Sequence, residues 1–155
     1  MCPKSLTRSI DSPFGPIYIT EEDGNLVSLQ WKSAAETETT PLLEESRKQL
    51  AAYFAGKLKN FDLPLRPRGD EFQQSVCSAM LEIPYGETTN YGAIAEQLGT
   101  YGQPVGKACG GNSIPIIIPC HRVLAVDGIG GYSGNGGVER KIELLKHEGG
   151  FPYLL

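Results

Sequence analysis

Apolar residues recur at period two in two short stretches early in the chain, Ile17 and Ile19 in GPIYI and then Val27, Leu29 and Trp31 in LVSLQW. Alternation of this kind belongs to strands, and the intervening TEEDGN holds Asp23-Gly24, a pair suited to a tight two-residue turn. A hairpin at a sheet edge or in a meander is therefore predicted. The period then changes. In TPLLEESRKQLAAYFAGKL, Leu43, Leu50 and Phe54 fall on one helical face, with Thr40 as N-cap, Pro41 in the first turn and Gly56 near the stop. The stretch FDLPLRPRGD breaks this pattern with proline and glycine, which makes residues 64–69 the expected linker between a domain over 1–63 and another over 70–155.

The second half reads as short, punctuated helices. EFQQSVCSAMLEIP places Phe72, Val76, Met80 and Ile83 on one stripe and stops at Pro84, and NYGAIAEQLG runs from a capping Asn or Thr to Gly99. After the tight TYGQ comes PVGKACGGN, a helix of small residues opened by Pro104. Helix, turn and small-residue helix make a helix-turn-helix outline. A last helix is expected from about Val138 to His147, with Ile142 and Leu145 inward. The glycine-rich stretch before it, from Gly128 to Gly137, has the composition of a loop that approaches a neighbour closely.

The fold class expected is α+β: a small N-terminal α/β domain with an antiparallel sheet, then a mostly helical domain containing the helix-turn-helix. At 155 residues and 40% hydrophobic content the chain can form a core. Its longest apolar run is far too short for a membrane span, and MCPKSLTRSI lacks the hydrophobic core of a signal peptide, so a cytoplasmic location is expected. Cysteines at 2, 77, 109 and 120 show neither a zinc spacing nor a disulfide framework, which favours reduced thiols. Each half carries seven Lys/Arg against nine Asp/Glu, and the total charge is −4. No basic stripe marks a nucleic-acid surface, so any contact with DNA has to rely on local geometry.

The chemistry concentrates in IPIIIPCHRV. If this run is extended, Cys120 and His121 point to opposite faces, and they serve separate tasks or meet through something between them. A lone cysteine in an apolar run is most often a small core residue. The surrounding order of motifs makes this one less ordinary.

FQQSV, IPYGETTNYGAIA, VGKACGGN, IPIIIPCHRV, GGYSG and ELLKHEG, running in that order through residues 72–149, resemble the O6-alkylguanine-DNA alkyltransferase family. The resemblance implies that Cys120 accepts the alkyl group from guanine O6 as a thioether, once per molecule. It implies that His121 acts on the cysteine through a bridging water while Glu148 orients the imidazole. It makes Tyr91 the proton source for the leaving guanine and Asn112 the hinge between recognition helix and active-site segment. Pro115, the Val123 carbonyl, Tyr132 and Ser133 would form the guanine pocket. Gln103, Val105, Gly106, Lys107, Ala108 and Gly111 would meet DNA in the minor groove, where small residues allow close approach. The implied partner is double-stranded DNA containing O6-alkylguanine, bound by a monomer with no cofactor, metal or membrane. The thiolate is the nucleophile, and an unperturbed thiol is only a few per cent ionised at neutral pH.

The chain departs from the family at Gln103, where counting back from Val105-Gly106 places the intercalating arginine. The segment between Gly99 and Val105 is also short. Two other readings use the same residues: a non-catalytic helix-turn-helix protein that binds DNA damage, and a cysteine hydrolase built on Cys120 and His121. The family's binding-only relatives lack the cysteine that is present here, and no separate papain-like His or Asn motif accompanies it.

Overall fold

The computed structural model describes residues 5–125, 128–130 and 137–149. Two compact units divide the chain, residues 1–67 and 68–155. In the first, β1 (Leu6–Ser12), β2 (Gly15–Glu22) and β3 (Asn25–Gln30) form an antiparallel sheet in the order β1-β2-β3. Asp23 and Gly24 both have positive φ, 51° and 77°, the conformation a two-residue turn requires to follow the strand twist. The pattern missed β1, because only Leu6 and Ile10 of its seven residues are buried and no alternation stands out.

Helix α1 (Pro41–Phe54) packs on this sheet, and the Thr40 side chain caps it by accepting from the Leu43 N–H. Its buried face is Leu43, Ser46, Leu50 and Tyr53. Phe54, expected inward, is only half-buried and meets Phe14 edge-on at 5.8 Å. Residues 64–66 are tied to the sheet: the Leu26 N–H donates to Pro64 O, and the Arg66 N–H to Leu26 O. That pairing covers the outer edge of β3 at Leu26, and Leu26, Val27, Ser28 and Leu29 are all buried.

The second unit holds α2 (Glu71–Leu81), β4 (Thr89–Asn90), α3 (Tyr91–Leu98), α4 (Gly102–Gly110), a 3-10 turn (Cys120–Arg122), β5 (Val123–Leu124) and α5 (Gly137–His147). Asp70 caps α2 and Asn90 caps α3, and Gly99 closes α3 in the left-handed conformation. Helices α3 and α4 pack together as the helix-turn-helix pair, and both touch α2. The expectation that Pro104 opens the last of these helices is corrected. Tyr101 is the N-cap, so Gln103 and Pro104 lie inside the first turn, where proline's missing N–H is harmless.

The run 114–119 is buried, as its composition suggests, but it is not extended. Two prolines interrupt it, and Ile116 sits at φ 73°, a left-handed conformation that costs a β-branched residue roughly 1–3 kcal/mol. Hydrogen bonds hold the fold-back in place. Asn112 Oδ1 accepts from the Ile114 N–H at 3.0 Å, Asn112 Nδ2 donates to Ile118 O at 2.8 Å, and the Ile118 N–H donates to Ile114 O at 2.9 Å. No helix among the described residues is long and apolar enough to cross a membrane.

Candidate active site

Because the chain turns rather than extends at this point, Cys120, His121 and Arg122 occupy one 3-10 turn that leads into β5. All three side chains are buried, and His121 is wholly so. The parallel pairing of Thr89 with Val123 and of Asn90 with Leu124 brings the start of α3, and so Tyr91, to this turn. Asn112 closes the other side. Its hydrogen bond to Ile118 O links the end of α4 to the backbone two residues before Cys120.

Glu148, just beyond α5, is the anchor. His121 Nε2 lies 2.8 Å from Glu148 Oε2, while Arg122 donates from Nε to Oε1 at 2.8 Å and from Nη2 to Oε2 at 3.0 Å. Arg122 Nη1 also donates to Ile83 O at 2.7 Å, tying the turn to the end of α2. Burial on its own would raise the Glu148 pKa, but the bonds from His121 and Arg122 outweigh it and hold the carboxyl well below the usual range. The carboxylate is therefore ionised and acts only as an acceptor, so His121 Nε2 carries the proton. Nδ1 then presents a lone pair, and this buried atom has no hydrogen-bond partner among the described residues. Desolvation pulls the His121 pKa down despite the neighbouring carboxylate, which keeps the imidazole neutral and able to accept a proton.

Burial pushes the Cys120 thiol up to about 11, eased by a hydrogen bond from the Asn112 side chain and by the positive charge of Lys141. At neutral pH the resting sulfur is thus a thiol, which can act as a nucleophile only when a base takes its proton.

Lys141 belongs to the candidate site and was missed in the sequence. It is fully buried, and its Nζ donates to Val123 O at 2.6 Å and lies 5.7 Å from the centre of the Tyr91 ring. Desolvation lowers its pKa to about 8, opposed by the nearby thiols of Cys120 and Cys109. A signal was present: Lys141, Leu144, Leu145 and Glu148 recur at i, i+3, i+4 and i+7, the stripe that α5 buries. Ile142, expected inward, is only half-buried and joins a small cluster with Leu124, Leu145 and Ile129. Arg122 is the second omission, hidden because an arginine beside the candidate Cys-His pair reads as a surface charge.

The remaining expected residues fall into three groups. Tyr91, Asn112, Pro115 and Val123 surround or abut the Cys120 turn, with Pro115 and Val123 buried and the other two half-buried. Gly130, at φ 74°, approaches Tyr91 so closely that a Cβ there would lie 3.2 Å from the phenol oxygen. On α4 and its C-cap, Gln103, Lys107 and Gly111 are exposed, but Val105 and Ala108 are buried, so the expectation that their side chains meet DNA is corrected. They lie on the opposite face and fix the helix to its own unit. Gly106 turns toward Tyr91, with space for a Cβ 3.9 Å from the ring. Tyr132 and Ser133 lie outside the described residues.

The buried His121 and Glu148 pair carries a pH signature. In the unfolded chain a histidine binds a proton below about pH 6.5, whereas folded His121, with its lowered pKa, resists doing so. The unfolded state therefore binds more protons below that pH, and stability must fall as the solution is acidified. The melting temperature should drop between pH 7 and pH 5, before ordinary carboxylates titrate. A melting temperature constant over that interval would contradict a neutral buried imidazole.

Comparison with known proteins follows the division of the chain. Residues 6–67 match the model of the 6-O-methylguanine DNA methyltransferase ribonuclease-like domain, and residues 71–150 match that of the same family's DNA binding domain. A methylated-DNA--protein-cysteine methyltransferase of Mycobacterium bovis is 45% identical over 151 residues, covering 91% of this chain and 90% of that protein. Its counterpart from Methanosarcina acetivorans is 41% identical, covering 90% and 95%. Among solved structures, the O6-methylguanine methyltransferase of Mycobacterium tuberculosis superposes with a TM-score of 0.83 at 40% identity, covering 94% of this chain and 93% of that one. The Mycobacterium tuberculosis protein in complex with DNA gives 0.79 at 42% identity, with 92% of each chain covered. With both family models matched in order and relatives similar over nearly the whole chain, this protein belongs to the 6-O-methylguanine DNA methyltransferase family.

Proposed function

We propose that this protein repairs double-stranded DNA by turning O6-alkylguanine out of the helix and transferring the alkyl group to Cys120. The observation that carries the reading is the buried trio: a cysteine beside a histidine whose Nε2 is fixed by Glu148 and whose Nδ1 is left as an acceptor. In the reaction, the Cys120 proton passes through a bridging water to Nδ1 as Sγ attacks the alkyl carbon. The S–C bond forms, the C–O6 bond breaks, and the guanine leaves with a proton from the Tyr91 hydroxyl. Asn112 favours the thiolate by its hydrogen bond, and the Lys141 charge favours it across the pocket. A base inside a duplex is out of reach, so the guanine has to be extruded first.

Helix α4 meets the minor groove through the face bearing Gln103, Pro104, Lys107, Gly110 and Gly111, positions three and four apart that are all exposed. Lys107 is the one cation on that face. Close approach of a narrow helix therefore carries much of the binding. The protein acts as a monomer in the cytoplasm and needs no cofactor, since the acceptor is its own thiol. A thioether has no ready leaving step, so each molecule reacts once. Mixing a fixed amount of protein with excess DNA carrying labelled O6-methylguanine should transfer label up to one equivalent and then stop. Continued release of repaired DNA beyond one equivalent would overturn the reading.

A further inference from the structure

The start of α4 differs from the three other α-helix starts that are fully described. Thr40, Asp70 and Asn90 each cap their helix through a side-chain oxygen, which satisfies one of the free N–H groups of the first turn. At α4 the N-cap is Tyr101, and its side chain makes no cap hydrogen bond. The same residue is the most exposed large hydrophobic among the described residues, at 80%, against 48% for Leu81 and 38% for Val138. A single exposed apolar side chain is ordinary by itself. This one stands at the leading end of the helix assigned to DNA, one residue before Gly102, which rests on α3 beside the Tyr91 Cβ. The exposed face of α4 otherwise offers one lysine, a neutral glutamine, a proline and glycines, none of them a large planar group.

An extruded base leaves a gap in the stack that something must fill, and each base stacked on an aromatic ring is worth a substantial factor in binding. We propose that the Tyr101 ring enters the DNA stack at the position vacated by the extruded guanine, while the Gln103 amide, two residues on, pairs with the orphaned cytosine. One aromatic and one amide divide between them what a single planar cation does by stacking and hydrogen bonding together. The inference rests on the alkyl-transfer reading above, but concerns only how the duplex is opened.

The test compares the parent, Tyr101→Ala, Tyr101→Phe and Gln103→Ala on two substrates: a duplex containing O6-methylguanine, and the free base O6-benzylguanine, which needs no extrusion. Tyr101→Ala should slow the duplex reaction about tenfold or more at limiting protein, and Tyr101→Phe should keep the parent rate because the ring does the stacking. Gln103→Ala should slow the duplex reaction by a smaller factor. All four proteins should react equally with the free base. Parent and Tyr101→Ala reacting equally with the duplex would overturn the proposal. So would a loss shared by both substrates, which would make Tyr101 a structural residue, or a phenylalanine variant as slow as the alanine one. A parent protein inert toward both substrates would instead defeat the alkyl-transfer reading itself, and this proposal with it.

Discussion

Cys120→Ser should bind alkylated duplex DNA as the parent does and transfer nothing, whereas Cys77→Ala and Cys109→Ala should each keep most of the parent's activity. All three thiols are free and buried, so burial does not single out the acceptor. Burial raises the pKa of Cys77, and it pushes Cys109 up to about 12 with a further contribution from the neighbouring Cys120. What distinguishes Cys120 is its place in the same turn as His121; an amide hydrogen bond favours the thiolate at both Cys120, from Asn112, and Cys77, from Gln73. Cys77 lies within α2 and Cys109 within α4, where they act as packing residues. Replacing either by alanine removes one small buried group and costs stability rather than chemistry. Peptide mapping of the reacted protein decides the matter: a methyl group on Cys77 or Cys109 would show that the wrong thiol has been assigned.

Glu148→Gln should slow alkyl transfer about 100-fold near neutral pH, the scale of losing a well-placed general base. Glutamine has no charge to hold Nε2 as the proton-bearing nitrogen, and so Nδ1 is no longer reserved as the acceptor. With the base lost, the reaction depends on direct ionisation of a thiol raised to about 11, and the rate should climb with pH well beyond the point where the parent levels off. The ratio of parent to variant should therefore shrink steadily as pH rises. The same substitution removes the partner of buried Arg122, a change worth about 3–5 kcal/mol when an ion pair of this kind is broken. Rates have to be read at a temperature where circular dichroism shows the variant folded. Glu148→Asp, which retains the charge, should recover part of both losses. A folded Glu148→Gln protein with the parent's rate and pH profile would mean that the carboxylate only supports the fold.

Local signals in the sequence foretold much of this architecture because they are local in the structure as well. The Asp23-Gly24 turn, the Thr40 and Asn90 caps and the Gly99 stop each depend on a few neighbouring residues, and each sits where the pattern puts it. The apolar run before Cys120 was legible as buried, but its path was not. Composition cannot report that Asn112 bonds across it to Ile118 and that Ile116 takes a left-handed conformation. Strand β1 escaped notice because it buries only two of its residues.

The site was legible at Cys120 and His121, adjacent in sequence, and through the family resemblance at Glu148, 27 residues beyond His121. Lys141 and Arg122 were missed for a shared reason. A charged residue next to other polar residues reads as solvated until the structure shows it buried on a carbonyl or a carboxylate. The reverse error fell on α4, where small apolar residues suggested a groove-facing surface. Only the exposed stripe through Gln103, Lys107 and Gly111 faces outward, and Val105 and Ala108 hold the helix in place.

The central claim is that the chain itself ends the reaction carrying the alkyl group. Intact mass spectrometry after incubation with duplex DNA containing O6-methylguanine tests it directly. The account predicts that the whole protein population gains one methylene, about 14 Da, that Cys120→Ser gains nothing, and that the DNA regains unmodified guanine. An unchanged protein mass alongside repaired DNA would show that the group leaves by another route, and an unchanged mass with unrepaired DNA would leave a binding protein in place of a transferase.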